Sequence, residues 1–206
     1  MTLKLKFYTR DDKLPALIDE LIVYAKQFVD IKLVLLDRGF RDIDIINNMQ
    51  FRNASILMPA VLDDKCKKEF IKLANRRFAR TRYSLRNQNG EYADVTLIMI
   101  KLPSEKEIGF FTTIKLTFLK NANFFLKTYA KRWNIETGYR LQNMFLPKTT
   151  SQNKVIRFFY FCYAVAMHNL WLLIRTTLNI RNQFTVLKMK LILILTWITT
   201  HLPYDW

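Results

Sequence analysis

Residues 129–148 read YAKRWNIETGYRLQNMFLPK, and the reading of this stretch organises the rest of the chain. No Gly or Pro precedes Gly138, and apolar and charged residues recur at helical spacing, which predicts one helix from about Ala122 to about Asn143. On such a helix Tyr129, Arg132, Glu136 and Arg140 follow at steps of three, four and four, so their side chains share one stripe. A lone carboxylate between two arginines suits a divalent metal or an ion pair, and the arginines and phenol suit phosphate oxygens. The same stripe on a solvated helix would form intrahelical ion pairs and nothing more.

Upstream, IKLVLLDRGF at residues 31–40 holds a near-continuous apolar run from Ile31 to Leu36 that ends in Asp37. Such a run predicts a parallel strand covered on both faces. In an open α/β sheet ligands gather outside the carboxyl ends of the strands, which makes Asp37 a candidate for chemistry as well as for capping a turn with Gly39. Arg41–Gln50 reads as a short helix with Ile43, Ile46 and Met49 inward, and Ser55–Met58 as a short strand stopped by Pro59.

Half of the 206 residues are apolar, enough to bury a core, so disorder is excluded. Thirty-three Lys and Arg oppose seventeen Asp and Glu, a net charge of +16 that points to a polyanionic partner, nucleic acid before membrane surface. Cys66 and Cys162 have no ligand-like spacing to His168 or His201, so neither a disulfide framework nor a zinc site is suggested, and a reducing cytoplasm is the expected location.

The first ten residues, MTLKLKFYTR, alternate as a half-buried strand does and do not resemble a signal peptide. Asp11 and Asp12 are placed to cap a following helix that carries Pro15 in its first turn and whose Leu14, Leu17, Ile18, Leu21, Ile22, Ala25 and Phe28 repeat with amphipathic spacing. Asp63–Arg80 reads as a basic helix with Lys67, Lys68, Lys72, Arg76 and Arg77 outward. From Arg82 the period changes to two, and Asn89-Gly90 between alternating segments signals a hairpin, with a further strand at Ile108–Ile114. Phe158–Ile174 is a 17-residue apolar run bracketed by Arg157 and Arg175 and interrupted by His168 and Asn169. It is short for a membrane span, so a core helix is the preferred reading and a membrane-associated helical protein the alternative.

Together LVLLDRGFRD and YAKRWNIETGYR, an Asp closing a buried strand and a Glu on a Tyr/Arg helix about a hundred residues later, resemble the DDE transposases of bacterial and archaeal insertion sequences. The similarity is greatest to the IS4-like group, whose signature is Tyr, two residues, Arg, three residues, Glu, six residues, Lys. Tyr129, Arg132 and Glu136 match it; the lysine position holds Asn143, with Lys148 the nearest candidate. The resemblance covers nearly the whole chain, including the β segment between the two acidic residues and TTSQNKVIRFFYF.

The resemblance implies a ribonuclease H-like α/β fold, a mixed sheet flanked by helices, with a small antiparallel β insertion at 82–118, a helical C-terminus and the first strand missing. The catalytic domain would span 1–180 and a helical tail 181–206. Catalytic and metal-binding roles fall to Asp37 and Glu136, with Mg²⁺ or Mn²⁺ as cofactor. DNA contacts fall to Tyr129, Arg132, Trp133, Arg140 and Lys148, with Trp133 either stacking on a base or filling the core. The partners implied are transposon-end and target DNA, bound by a homodimer in one expectation, and membrane is disfavoured. Because the family's first carboxylate has no counterpart here, and Asp11 and Asp12 lie beyond a later strand, the expectation is a transposase that does not cleave alone.

Overall fold

In the computed structural model the described residues are 2–6, 9, 12–72, 76–115, 121–177, 189–190, 193 and 197. The chain divides into two compact units, Tyr8–Trp133 and the pair of segments Met1–Phe7 and Asn134–Trp206.

The first unit is built on a mixed five-stranded sheet of β1 (Leu33–Leu35), β2 (Ser55–Pro59), β3 (Phe78–Arg86), β4 (Tyr92–Lys101) and β5 (Glu107–Thr112), in spatial order β1-β2-β5-β4-β3. β1 and β2 run parallel with Val34 opposite Ile56, β2 and β5 antiparallel with Leu57 opposite Thr112, and β3, β4 and β5 form a meander. The antiparallel segment is therefore continuous with the sheet that carries Asp37, joined to it along β5.

Strand alternation sorts the apolar residues onto two faces. Ile56, Met58, Leu97, Met99 and Phe111 face one way, against Ile45, Ile46 and Met49 of α2 (Ile43–Phe51), Cys66 and Phe70 of α3 (Asp64–Ile71), and Leu14, Ile18 and Ile22 of α1 (Leu14–Lys26). Leu57, Ile98, Ile100 and Phe110 face the other way, against Phe125 of α4 (Ala122–Ala130). Val34 contacts the first cluster while Leu33 and Leu35 contact the second, so the short β1 is covered on both sides as its apolar run requires. A Cβ on Gly109 would stand 3.0 Å from that of Ala60 and 3.2 Å from Leu62 Cδ2, so a side chain there would push on the loop that leads into α3.

Several local expectations need correction. Asp12 does not cap α1; it accepts hydrogen bonds from the Thr9 amide (2.7 Å) and hydroxyl (2.9 Å), while Lys13 is the N-cap residue and Asp11 lies outside the described residues. The basic helix ends at Ile71 instead of Arg80, because Phe78, Ala79 and Arg80 already pair with Ile100, Met99 and Ile98 in the sheet. The hairpin loop is longer than the Asn-Gly pair: the Asn87 amide donates to Glu91 O (3.1 Å), with Gly90 at φ 82° supplying the left-handed residue. The expected helix from Ala122 to Asn143 is two helices, α4 and α5 (Trp133–Asn143), separated at Lys131–Arg132. There the Arg132 amide closes a tight turn onto Tyr129 O (2.9 Å).

In the second unit Phe145, Ala164 and Trp171 make a small core between the α5 segment and α6 (Lys154–Thr177). Residues 2–6 are not a strand. With no strand beside them, their polar groups bond to side chains: the Thr2 amide donates to Asn169 Oδ1 (2.9 Å), Asn169 Nδ2 donates to Thr2 O (2.7 Å), and Gln142 Nε2 donates to the Thr2 hydroxyl (3.2 Å). Asn169, which interrupts the apolar run, is thus a clamp for the N-terminal segment. α6 has 24 residues, longer than the 17-residue run, and is long and apolar enough to cross a membrane, with 22% of its apolar window buried in protein. Leu191–Ile198, a second apolar run, lies largely outside the described residues.

Candidate functional site

β1 delivers its carboxyl end to the candidate site. Leu36 is buried and its amide donates to Leu57 O (3.1 Å), which fixes the chain one residue before Asp37. Asp37 then turns the backbone: it caps a 3₁₀ turn at Arg38–Phe40, and its Oδ1 accepts from the Arg38 amide (2.8 Å). The capping reading of Asp37 is met by Oδ1, and the nearest cation to Oδ2 is Arg132.

α4 brings the partners. Its Asn121 cap accepts from the Phe124 amide (3.1 Å), and Phe125 anchors the helix on the sheet. Tyr129, one turn beyond Phe125, packs on Phe110 with ring centroids 5.3 Å apart and donates its hydroxyl to Leu36 O (3.4 Å). Burial pushes the phenol pKa above its usual value, with Arg132 pulling it back and Asp37 adding to the rise. The phenol is a neutral donor at physiological pH, and part of its work is to tie α4 to the end of β1.

Arg132 follows in the break between α4 and α5. Its Nη1 stands 3.9 Å from Asp37 Oδ2, and its Cζ lies 5.6 Å from the ring centroids of both Tyr129 and Trp133. Two aromatic rings hold the guanidinium, while its pairing with a 57%-exposed carboxylate is long and open to water. Such a pair is worth roughly 0 to 1 kcal/mol, little enough for a phosphate to displace Asp37 from the arginine. Trp133 is 60% exposed, which removes the core-filling alternative.

The fold brings together Asp37, Tyr129, Arg132 and Trp133. Glu136, Arg140 and Lys148 belong to the other unit: Glu136 and Arg140 lie exposed one turn apart on α5, and Lys148 lies exposed in the segment after it. Arg140 makes no ion pair among the described residues. The expected single helix face is not continuous, because the helix is interrupted between Ala130 and Trp133.

The described residues do not by themselves fit the pair of divalent ions that the resemblance implies. A hard cation takes about six oxygen ligands. Asp37 is one carboxylate with a guanidinium beside it, and among the described residues no three His, Cys, Asp or Glu converge. Sequence reasoning missed the Leu36 carbonyl as the partner of Tyr129, since a backbone acceptor leaves no mark on residue identity.

No family model matches this sequence, and no curated protein matches it. In structure the chain is similar to a piggyBac transposase solved as a synaptic complex with hairpin DNA, at a TM-score of 0.51 and 13% identity. The match covers 78% of this chain and 34% of that one. The fold is transposase-like. At 13% identity the likeness is one of fold alone, and the chain spans about a third of the length of that transposase. Within the transposase-like fold, the mixed sheet flanked by helices and the helical C-terminal part agree with the architecture expected from the sequence.

Proposed function

We propose that this chain acts on DNA as a transposase-type protein, gripping a phosphodiester at the carboxyl end of β1. The observation that carries the reading is Arg132, held between two aromatic rings and loosely paired with Asp37 at that strand end. An arriving phosphate would take the guanidinium in a forked contact, with Asp37 released toward water and Arg38, exposed beside it, adding a second cation. The net charge of +16 supports a polyanionic partner. In its finer form, resting on motif spacing, the proposal is DDE-type, IS4-like chemistry. Asp37 and Glu136 would be two of the carboxylates for Mg²⁺ or Mn²⁺, with Arg140 and Lys148 as further DNA contacts.

Fluorescence anisotropy with a labelled duplex across a salt series tests the reading. Arg132→Ala and Arg38→Ala should each weaken binding similarly for unrelated sequences and reduce the log–log salt slope by about 0.9. A slope unchanged in both variants would return Arg132 to a purely structural role. For the finer form, Mn²⁺ titration followed by paramagnetic resonance should show binding lost in Asp37→Asn and in Glu136→Gln.

A second reading, membrane association through α6, rests on its length and on Val155, Phe159 and Leu173, which are 75%, 65% and 60% exposed. Flotation with neutral vesicles in high salt distinguishes it, because apolar burial persists where phosphate contacts fail.

A further inference from the structure

The opposite edge of the sheet carries a feature that the Asp37 cluster does not use. β3 is the outermost strand, four strand spacings or roughly 19 Å from β1. Arg80, Arg82 and Arg86 stand on one face of it, with Ser84 between the last two, all three arginines exposed, and none takes part in an ion pair among the described residues. Adjacent members such as Arg80 and Arg82 are about 6.7 Å apart along the strand. Exposed Arg76 and Arg77 lead into the row. Of the nearby carboxylates, Asp94 lies on the same face opposite Ser84, whose hydroxyl donates to it, and Glu91 accepts from Asn87 Nδ2. Tyr92 is paired with Arg86 in register, shares its face and is 61% exposed. An open hollow of about 480 Å³ adjoins the row, lined by Arg82, Ser84, Asp94, Thr96 and Thr112 from this face and by Gln50 of α2.

We propose that this β3 edge binds single-stranded nucleic acid, with Arg80, Arg82 and Arg86 following the phosphates and Tyr92 stacking on an unpaired base. Charge on an edge strand also discourages sheet-to-sheet pairing, but that role needs neither an exposed aromatic nor a polar hollow beside it. A row of cations flanked by an aromatic side chain matches an unpaired strand, whose bases are free to stack, better than a duplex, whose bases are already stacked. The hollow is within the size range of small-ligand sites and offers hydroxyl and carboxylate groups to a base edge. The proposal shares with the preceding section the class of polymer bound, and it concerns a separate surface.

The test uses the full chain and a labelled 20-nucleotide oligo-dT, with a 20-base-pair duplex as comparison. The Arg80→Ala/Arg82→Ala/Arg86→Ala variant should lower the single-strand salt slope by about 2, at roughly 0.7 for each phosphate no longer neutralised. Tyr92→Ala should weaken binding roughly 5-fold to 150-fold and Tyr92→Phe should restore it. Ultraviolet cross-linking of the unmodified protein should place oligo-dT on the peptide containing Tyr92, a readout independent of how the variants fold. An unchanged slope with no cross-link there would overturn the proposal, as would an edge dependence seen only with duplex. If Arg132→Ala and Arg38→Ala weaken duplex binding while the edge variants bind as the parent does, the edge proposal falls alone. If the parent binds neither nucleic acid, both fall.

Discussion

Truncating Phe125 to alanine tests the link between packing and the candidate site. Phe125 is fully buried, with its ring centroid 5.1 Å from that of Phe124 and 6.3 Å from that of Phe78, in the cluster that holds α4 on Leu57, Ile98, Ile100 and Phe110. Removing a buried phenyl ring costs about 3 to 5 kcal/mol in reduced burial and residual cavity. The unit it stabilises spans Tyr8–Trp133, and at about 2.1 cal/mol/K per residue its unfolding entropy is roughly 0.26 kcal/mol/K. Phe125→Ala should therefore lower the Tm of this unit by roughly 11 to 19 °C, read by differential scanning calorimetry. Phe125→Met, which keeps most of the volume, should cost less than about 1.5 kcal/mol. Tyr129 and Arg132 reach Asp37 only because α4 is seated, so duplex affinity measured well below the variant's Tm should also fall. A Tm loss under about 4 °C would refute Phe125 as the anchor. A large Tm loss with unchanged affinity would refute the claim that α4 positions the phosphate-binding group.

Gly109→Ala should destabilise the same unit by about 1 to 3 kcal/mol, since the new Cβ would meet Ala60 at 3.0 Å; a denaturant midpoint equal to that of the parent would contradict this. His168 is buried and its pKa is lowered by burial, so between that lowered value and about 6.5 the unfolded state binds more protons than the folded state. Stability from keeping His168 neutral is complete above about pH 6.5 and is lost as pH falls through the folded pKa, so the stability difference between the parent and His168→Leu should depend on pH between 7.5 and 5; a constant difference would remove the histidine as the cause. Burial also pushes the Cys66 thiol up, and Cys66 is fully buried while Cys162 is partly accessible. An aromatic disulfide reagent should therefore react rapidly with one thiol in the native protein, and Cys162→Ser should abolish that fast phase.

Much of the first unit is legible without coordinates. The apolar run before Asp37 specifies a strand covered on both sides, and the change to period two after Arg82 specifies an antiparallel segment. Local patterns of this kind report which face of an element is buried, because apolar side chains must leave water whatever the partner is. The alternation of Leu3 and Leu5 misleads for the same reason: a period of two permits a strand, but a strand also needs a neighbour to take its amides, and Thr2 bonds to Asn169 and Gln142 instead. The break at Lys131–Arg132 carries no Gly or Pro to announce it, and it divides the expected helix into two. Residue type and spacing single out Asp37, Tyr129, Arg132 and Trp133, whereas their meeting depends on Phe125 seating α4 across the sheet from α1, α2 and α3. Residue order encodes what each segment tends to become; the 3.9 Å between Asp37 and Arg132 arises only when segments some ninety residues apart bury their apolar faces on the same sheet.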